Sequence, residues 1–369
     1  MSGRIYLDWN AAAPLRREAR EAVLAAMDVG GNPSSVHAEG RAARAVVERA
    51  RAQVAALVGA EPDAVVFTAG ASEAVATAIA AHDRRVHVSP TAHDCLTAWL
   101  DDGRAAALVV DRHGRAALDG FEERVAPADL VGVSWASGET GIVEDGMLWR
   151  ACLDHGVVLL RDMAQAAGRM PVDAKAPGSD YVVLSSGKLG GPRGVGALVA
   201  RDGLPARPLI PGGGQEGRRR SGTENVAGIA GFGAAAEAAR RELDSGVWSR
   251  VEKLRDILES RLEAAVPDTI FVGRGARRLP NTSCFAVPGW PGEVQVIQLD
   301  LAGFAISAGS ACSSGKVSRS RALEAMGLGA GLTGSAIRVS IGPATTEAEV
   351  VAFVEAWADH YRRRRARAA

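Results

Sequence analysis

The sequence contains little lysine and little cysteine. Only four of its 43 basic residues are lysines, and the others are arginines. The four cysteines, at positions 95, 152, 284 and 312, form neither a close pair nor a Cys-x-x-Cys motif. This spacing argues against a disulfide framework and against a zinc site built from clustered cysteines, so no metal is expected. Each lysine and each cysteine has to be interpreted from its own surroundings.

The chain also lacks a net charge and a long hydrophobic run. Its 43 basic residues balance 43 acidic ones among 369, so the composition provides no general field that would attract nucleic acid or an acidic membrane. No apolar stretch approaches the length that spans a bilayer, and the first residues do not follow the pattern of a secretory leader. We therefore expect a cytoplasmic protein that acts on a small molecule, without a nucleic-acid or membrane partner.

Short apolar runs alternate with helical or turn segments through the first part of the chain. The runs lie at 64–68, 85–88, 106–110, 130–134, 157–162, 180–184 and 196–200. Helical patterns precede them, from Pro14 to about Met27 and from about His37 to Val58. This alternation predicts an α/β fold with a mostly parallel, doubly wound sheet.

The last third of the chain has a different pattern. A Gly/Pro/Arg-rich stretch at 211–223 interrupts regular structure, and a long helical pattern follows from about 225 to about 265. Strand-like runs and helical patterns are then mixed as far as the C-terminus. A chain of this length predicts about two domains. We expect a large domain over 14–247 and a smaller α+β domain formed by 1–13 and 248–369.

Lys188 stands in a glycine-rich turn directly after the apolar run that ends at Leu184. Arginine stays charged at any useful pH, whereas a lysine amine can lose its proton when partly desolvated and then condense with an aldehyde. Because arginine provides nearly all of the positive charge in this sequence, Lys188 is a candidate Schiff-base lysine. The alternative is an ordinary lysine on a solvated loop.

Asp162 ends another apolar run, at the position where open α/β sheets place ligand-binding groups. A carboxylate and an aldehyde-binding amine at neighbouring strand ends are what pyridoxal phosphate (PLP) requires, because the carboxylate keeps the pyridine nitrogen protonated. Taken alone, Asp162 could equally cap the next turn. Together with Lys188 and the nearby Gln165, it favours the cofactor.

Two further segments are candidates for cofactor contacts. The run that ends at Thr68 leads into small residues, 69–72, and an alanine-rich helical pattern, so open N–H groups at a helix start could hold a phosphate. Many strand-to-helix turns have this composition without binding anything. His93 follows another strand and could lay its imidazole on an aromatic cofactor, although a loop histidine is more often solvated.

Cys312 and Arg338 are the candidates near the C-terminus. Cys312 lies among small polar residues, as in an exposed loop, and the nearby Lys316 would favour a nucleophilic thiolate. Cys152 and Cys284 stand in apolar patterns typical of packing residues, and Cys95 is ambiguous. Arg338 interrupts an apolar run, where a buried guanidinium needs an anionic partner. That partner could be a substrate carboxylate or an internal Asp or Glu.

Together these motifs resemble the cysteine desulfurases, which are PLP enzymes of the class V aminotransferase group with the fold type I architecture. The resemblance covers nearly the whole chain. It rests on Lys188 and on the segments 6–14, 31–37, 68–73, 162–165, 220–223, 309–312 and 337–340.

The resemblance implies a role for each matching residue. Lys188 would form the Schiff base, Cys312 would take the sulfur, and His93 would stack on the cofactor ring. Arg338 would bind the substrate carboxylate. The remaining cofactor contacts would be Asp162 to the ring nitrogen, Gln165 to the phenolic oxygen, and Ala71, Ser72, Ser185 and, from the other subunit of a homodimer, Thr223 to the phosphate.

The activity implied by the resemblance is the conversion of L-cysteine to L-alanine. The sulfur would remain on Cys312 as a persulfide and pass to a sulfur-acceptor protein, for iron–sulfur cluster assembly or another sulfur pathway. The large domain would then bind PLP, and the small domain would carry the Cys312 loop.

Two positions depart from the family pattern. Gly187 replaces the usual histidine before the lysine, with Ser186 as a possible substitute, and Ser137-Gly138-Glu139 replaces Asn-Asn-Glu. These differences leave other functions open. One is a selenocysteine lyase, or another class V aminotransferase or epimerase acting on a small amino acid. Another is a sulfur-relay scaffold that binds the cofactor weakly.

Overall fold

The computed structural model describes residues 3–309 and 320–368. Its strands are β1 (Ile5–Tyr6), β2 (Val65–Thr68), β3 (Val86–Val88), β4 (Ala106–Ala107), β5 (Leu130–Ser134), β6 (Val158–Asp162), β7 (Tyr181–Ser185), β8 (Gly196–Ala200), β9 (Ile270–Phe271), β10 (Thr282–Ala286), β11 (Phe304–Ala305), β12 (Ser307–Ala308) and β13 (Ala336–Ser340).

The α-helices of the same residues are α1 (Arg17–Met27), α2 (Ala38–Val58), α3 (Ala71–Ala80), α4 (Asp94–Asp101), α5 (Phe121–Arg124), α6 (Gly146–Asp154), α7 (Gln215–Arg218), α8 (Val226–Asp244), α9 (Val247–Ala265), α10 (Gly292–Leu301), α11 (Arg321–Ala325), α12 (Ala330–Thr333) and α13 (Glu347–Ala368). Short 3-10 turns lie at Pro62–Ala64 and Ser186–Lys188. No helix of the described residues is long and apolar enough to cross a membrane.

The large sheet has seven strands in the order β2-β8-β7-β6-β5-β3-β4. Strands β3 to β7 run parallel to one another, whereas β8 is antiparallel to both β7 and β2. The reversal of β8 follows from the connection after β7, which is too short to hold the crossover that a parallel strand requires. The predicted α/β class with a mostly parallel sheet is confirmed.

Both faces of this sheet are covered, which explains why its strands are continuously apolar. Val182 and Leu184 of β7 point into the core beneath α2 and α8, while Tyr181 and Val183 point into the core beneath α3. Because side chains alternate between faces along a strand, one apolar run supplies both cores. The result is a layer of helices on each side of the sheet.

The C-terminal part has its own sheet, with the antiparallel order β12-β13-β10-β9. Its core contains Trp290, Phe353 and Trp357 from the surrounding helical and loop segments, and Phe285 from β10. Strand β1 joins this part through a parallel pair with β11, and the Trp9 N–H donates to the Ser340 carbonyl at 3.1 Å. The domain boundaries expected from the sequence, 14–247 against 1–13 with 248–369, stay a prediction.

A few element boundaries differ from the sequence-based expectations. The first helix begins at Arg17 rather than at Pro14, because the backbone of Arg16 is extended. The pattern after 225, which we interpret as a helix pair, does form two helices, and they are separated at Ser245 and Gly246, where Gly246 adopts a left-handed conformation with φ 75°. Strand β4 ends at Ala107 instead of Val110, which forms an isolated bridge with Ala116.

Candidate active site

The carboxyl ends of several strands lie along one edge of the large sheet. Ser134 pairs with Asp162 at the ends of β5 and β6. Gly196, the first residue of β8, is opposite both Thr68 and Ser185, so the ends of β2 and β7 lie on either side of it. The register therefore places Asp162, Ser185 and the turn after Thr68 along the same edge.

The turn after Thr68 opens directly into α3. Ala71 and Ser72 are the first two residues of this helix, and no side chain caps it at Gly70. The N–H groups of a first helical turn have no partner within the helix and carry a partial positive charge. The geometry therefore fits the predicted role of this turn as an anion-binding segment.

A cavity of about 210 Å³ opens beside Lys188. Four of the predicted site residues line it together: His93, Gln165, Lys188 and Arg338. Asn10, Gly138, Glu139, Gly309 and Arg321 also contribute to its wall. The sequence separates these residues by more than 300 positions, and the fold brings them together.

Lys188 closes the 3-10 turn that follows β7, and its side chain is half-buried. Its ammonium Nζ donates to the backbone carbonyls of Asn10 and Ala11, each at 2.8 Å. Two neutral acceptors from the N-terminal segment thus hold the amine at the cavity. This placement favours the interpretation of Lys188 as a candidate Schiff-base lysine over that of an ordinary lysine on a solvated loop.

Asp162 is buried and connects to the cavity through two neighbours. One carboxylate oxygen accepts from the Ala164 N–H at 3.0 Å, and the other accepts from the Ser134 hydroxyl at 3.4 Å. The same hydroxyl accepts from the His93 N–H at 3.0 Å. Asp162 itself does not line the cavity.

His93 caps helix α4 with its own ring. Its Nδ1 accepts from the Cys95 N–H at 3.2 Å. Since an accepting nitrogen cannot carry a proton, the neutral ring has its proton on Nε2. The local fold thus fixes both the position and the tautomer of this histidine.

Arg338, in the centre of β13, is 5% exposed. Its Nη2 donates to Asp8 Oδ1 at 2.6 Å, and its Nη1 donates to the Gly138 carbonyl at 2.9 Å. The internal carboxylate considered from the sequence is therefore Asp8. Among the residues that the structure describes, Nε has no hydrogen-bond partner although it is buried. The Nε–H group thus remains for a further acceptor.

Three residues of the site did not emerge from the sequence. Asn10 is almost fully buried, and its side chain bonds to Gly138, Arg169, Asn281 and Thr282. Arg169 is buried beside it, and Glu139 lines the cavity. Arg169 could have been found by the criterion applied to Arg338, an arginine inside an apolar stretch. Asn10 carried no local signal, because all of these partners are distant in sequence.

Glu139 anchors the chain at one end of the 310–319 segment. Its Oε2 accepts from the Ser320 hydroxyl at 2.8 Å. Burial raises the pKa of this carboxyl, and the Ser320 hydrogen bond and the charge of Arg338 partly oppose that rise. The cavity wall includes Gly309 and Arg321. Described residues on either side of 310–319 therefore line the same cavity as Lys188.

The structure does not bring every predicted residue to this cavity. Cys312 and Lys316 lie outside the described residues. Thr223 is exposed and does not line the cavity of its own chain, and Ala71, Ser72 and Ser185 lie along the sheet edge instead of in the cavity wall.

Two of the three described cysteines, Cys152 and Cys284, are fully inside the protein. Cys152 and Cys284 are buried, and burial raises the pKa of Cys152 to about 12 and that of Cys284 still further. Burial also raises the pKa of the half-buried Cys95. A thiol with a raised pKa forms little of the nucleophilic thiolate. The packing interpretation of Cys152 and Cys284 agrees with their burial.

The two departures from the family pattern have clear local geometry. A Cβ at Gly187 would meet only Arg193 Cγ, at 3.6 Å, so there is room for a side chain that this protein lacks. A Cβ at Gly138 would lie 3.1 Å from Gln165 Nε2 and would crowd that amide. The Ser186 hydroxyl, considered as a substitute for the histidine, is fully buried next to Gly191.

Comparison with known proteins identifies the family of this chain. The family model described as aminotransferase class-V matches residues 5–353. The chain belongs to the class-V aminotransferase family. Among the curated members of the family, the cysteine desulfurase of Cereibacter sphaeroides is 37% identical and covers 95% of this chain and 94% of its own length. The cysteine desulfurase IscS of Dictyoglomus turgidum (strain DSM 6724 / Z-1310) is 34% identical, covering 95% of this chain and 92% of its own.

Solved structures agree with this family assignment. The X-ray structure of a NifS-like protein from Rickettsia africae ESF-5 superimposes with a TM-score of 0.90 at 30% sequence identity. It covers 97% of this chain and 99% of its own. The resemblance to cysteine desulfurases within the class V group is thereby confirmed.

Proposed function

We propose that this class-V aminotransferase family member is a PLP-dependent cysteine desulfurase that converts L-cysteine to L-alanine. The observation that carries the proposal is the half-buried amine of Lys188 in a cavity that it shares with His93, Gln165 and Arg338. The similarity to cysteine desulfurases over almost the whole chain supports the same activity.

The residues present fit PLP. A lysine amine faces the cavity, a buried carboxylate ends the neighbouring strand β6, and an uncapped helix start lies at the same sheet edge. When bound, PLP provides an electron sink that weakens the bonds around the substrate carbon attached to it. Lys188 would bind its aldehyde, Asp162 would keep its ring nitrogen protonated, and Gln165 would donate to its phenolic oxygen. The α3 start, Ser185 and, from a second subunit, Thr223 would hold the phosphate.

Arg338 supplies the contact that selects an amino acid. A guanidinium binds a carboxylate through parallel N–H donors. Asp8 and Gly138 take the two Nη atoms, and the buried Nε has no partner among the described side chains and backbone. The α-carboxylate of the substrate would accept the hydrogen bond that Arg338 Nε can still donate. His93, with its proton on Nε2, would stack on the ring and exchange protons at the reacting carbon.

Cys312 would accept the sulfur. Gly309, which lines the cavity, precedes it by three residues, and three extended residues span at most about 10 Å. The thiolate would attack the sulfur of L-cysteine, so an S–S bond forms, the C–S bond breaks and a persulfide remains on Cys312. An acceptor protein would then take the outer sulfur, for iron–sulfur cluster assembly or another sulfur pathway. The cytoplasmic location and the homodimer are part of this proposal.

The proposal is tested by the ultraviolet–visible spectrum with PLP, before and after addition of L-cysteine. We expect the wild type to turn yellow with PLP and to form equal amounts of alanine and protein-bound sulfur in a single turnover. Cys312→Ala should keep the colour and form no persulfide, whereas Lys188→Ala should lose the absorbance of the linked cofactor.

Cys152→Ala is the matched thiol control, because this cysteine lies in α6 and does not line the cavity, and the variant should behave as the wild type. Persulfide formation by Cys312→Ala at the wild-type rate would rule out the assigned thiol. A protein that stays colourless with PLP would refute the enzymatic proposal in favour of a scaffold role. Alanine formation from selenocysteine but not from cysteine would identify a selenocysteine lyase.

A further inference from the structure

Arg169 is a buried cation that has no carboxylate partner in the part of the chain that the structure describes. It is 5% exposed. Its Nη1 donates to Asn10 Oδ1 at 2.9 Å and to Gln165 Oε1, and its Nη2 donates to the carbonyls of Trp9 and Lys188 at 3.4 Å. All four acceptors are neutral, and over residues 3–309 and 320–368 no ion pair involves Arg169. Burial lowers its pKa to about 9, with the charge of Arg338 as the second cause.

A cation in this position is costly unless an anion joins it. Removing a guanidinium from water carries a penalty that neutral acceptors offset only in part, and buried charges in proteins are generally paired. The buried arginine of β13, Arg338, has Asp8 as its partner. Arg169 has no such partner among the described residues, and it donates to Gln165 in the cavity wall, which points to an anion that enters with a ligand.

Arg169 also fixes the orientation of the Gln165 amide. A guanidinium can only donate, so the Gln165 atom that faces it must be the amide oxygen. On the other side, the Asn10 carbonyl can only accept, so the Gln165 atom 2.9 Å from it must be the amide nitrogen. The amide therefore presents its N–H₂ end, and not its oxygen, on the side of the cavity.

The Asn10 carbonyl places this N–H₂ group next to the reactive amine. It accepts from Gln165 Nε2 at 2.9 Å and from Lys188 Nζ at 2.8 Å. A ligand atom bound by Gln165 Nε2 therefore lies close to a group attached at Lys188 Nζ. The amide nitrogen has two hydrogens, one of which goes to Asn10, and the second is available to such a ligand.

We infer that Arg169 is a positioning residue that compensates, through the Gln165 amide, the negative charge of a ligand oxygen held beside Lys188. The inference rests on the proposed function, in which that oxygen is the phenolic oxygen of PLP. Polarisation of the amide by the guanidinium strengthens its N–H donor, as hydrogen bonds in a chain reinforce one another in a medium of low dielectric constant. Arg169 itself does not contact the ligand.

The test compares PLP with 3-deoxypyridoxal 5′-phosphate, which lacks the phenolic oxygen, by the dissociation constant of each from the apoprotein. We expect the wild type to prefer PLP by at least about tenfold, which corresponds to about 1.4 kcal/mol. Arg169→Gln keeps hydrogen-bond donors but removes the charge, so it should weaken PLP binding and leave analogue binding within about threefold of the wild type. Arg169→Lys keeps the charge and should retain part of the preference.

Arg161 provides a matched control. It is 4% exposed, lies over the Trp135 ring and, in the part of the chain that is described, has no carboxylate partner either. It precedes Asp162 on β6, so its side chain points to the other face of the sheet. Arg161→Gln should keep the wild-type preference for PLP over the analogue.

Each outcome decides one claim. If Arg169→Gln keeps the wild-type preference for PLP over the analogue, the role of the Arg169 charge is overturned. The same follows if Arg169→Lys and Arg161→Gln lose this preference to the same extent. Both results leave the desulfurase proposal intact. A wild type that binds PLP and its analogue equally also overturns it. A wild type that binds neither compound overturns the proposed function. If circular dichroism shows that Arg169→Gln is unfolded, Arg169→Met replaces it with the same expectations.

Discussion

Arg338 holds its guanidinium between an internal carboxylate and the proposed substrate site. Its planar group donates to Asp8 and Gly138 at once, which a lysine ammonium on a flexible stem cannot do in the same geometry. We expect Arg338→Lys to raise the KM for L-cysteine by about ten- to a hundredfold, because the charge remains while the fork is lost. Steady-state kinetics of alanine formation measure this change.

The control for this variant is the PLP-bound spectrum without substrate. It should match that of the wild type, because Arg338 is not among the proposed cofactor contacts. A KM within twofold of the wild-type value would remove Arg338 from the substrate site.

Single site residues were predictable from the sequence where they are unusual for the residues around them. Lys188 was conspicuous as a rare lysine after a strand, and Arg338 as an arginine in an apolar run. Asn10 could not be predicted, because its role depends on partners at 281–282, on Gly138 and on Arg169. The partner of Arg338 could not be predicted either, because Asp8 is 330 residues away in the sequence.

Helices α2 and α8 approach each other closely through glycine. A Cβ at Gly233 of α8 would lie 2.6 Å from Ala50 Cα of α2 and 2.4 Å from Gln53 Oε1. Since the Ala50 backbone cannot move without shifting α2, we expect Gly233→Ala to lower the free energy of unfolding by about 1–3 kcal/mol. Urea unfolding followed by circular dichroism measures the loss.

Gly146, the first residue of α6, serves as the control for this substitution. It is exposed, and a Cβ there would have nothing within 4 Å. Gly146→Ala should therefore leave the unfolding free energy within about 0.5 kcal/mol of the wild type. Equal effects of the two substitutions would show that close packing is not the reason for Gly233.

The positions of strands were predictable where the apolar run is continuous. The direction of a strand was less predictable. The apolar runs of β5, β6, β7 and β8 were located to within a residue, because strands buried on both faces read as continuous apolar stretches. The antiparallel direction of β8 is decided by the short turn after Lys188 and not by the strand itself. Gly246 separates α8 from α9 because its backbone is left-handed, and the helical periodicity of the sequence does not show where this break lies.

The stability of the whole molecule should depend on pH through Glu144. Its Oε1 accepts from the Ala116 N–H at 2.9 Å, and its buried Oε2 has no partner among the described residues. Burial is the main cause that raises the pKa of Glu144 from 4.5 to about 7. Between these values the folded state keeps a proton that the unfolded chain has released, so stability falls as the pH rises through this interval.

We expect Glu144→Gln to remove this decline. Relative to the wild type, the variant should gain stability between pH 5 and pH 7, at no more than about 1.4 kcal/mol per pH unit. Urea unfolding at pH 5, 6, 7 and 8 measures the difference, with the exposed Glu355→Gln as a control whose difference from wild type should not change with pH. A constant difference for Glu144→Gln would contradict the buried-proton explanation.

The proposed homodimer can be tested by mixing two inactive variants. If Thr223 serves the site of the other subunit, Lys188→Ala and Thr223→Ala each impair both sites of their own dimer at low PLP concentration. A mixed dimer has one site with wild-type Lys188 and wild-type Thr223. Dissociation and reassociation of the two variants should therefore restore up to about a quarter of the wild-type activity, since half of the dimers are mixed and each has one intact site. No recovery would place Thr223 at the site of its own chain or outside the active site.

The pairing of the N-terminal segment with the last strands has a consequence for biosynthesis. Leu7, Trp9 and Asn10 bond to Ala305 and Ser340, and the Asn10 carbonyl in turn holds Lys188. A nascent chain still on the ribosome can form its central sheet early, but these first residues have no docking place until translation passes position 340. Lys188 therefore cannot reach its final environment until the chain has been synthesised beyond position 340.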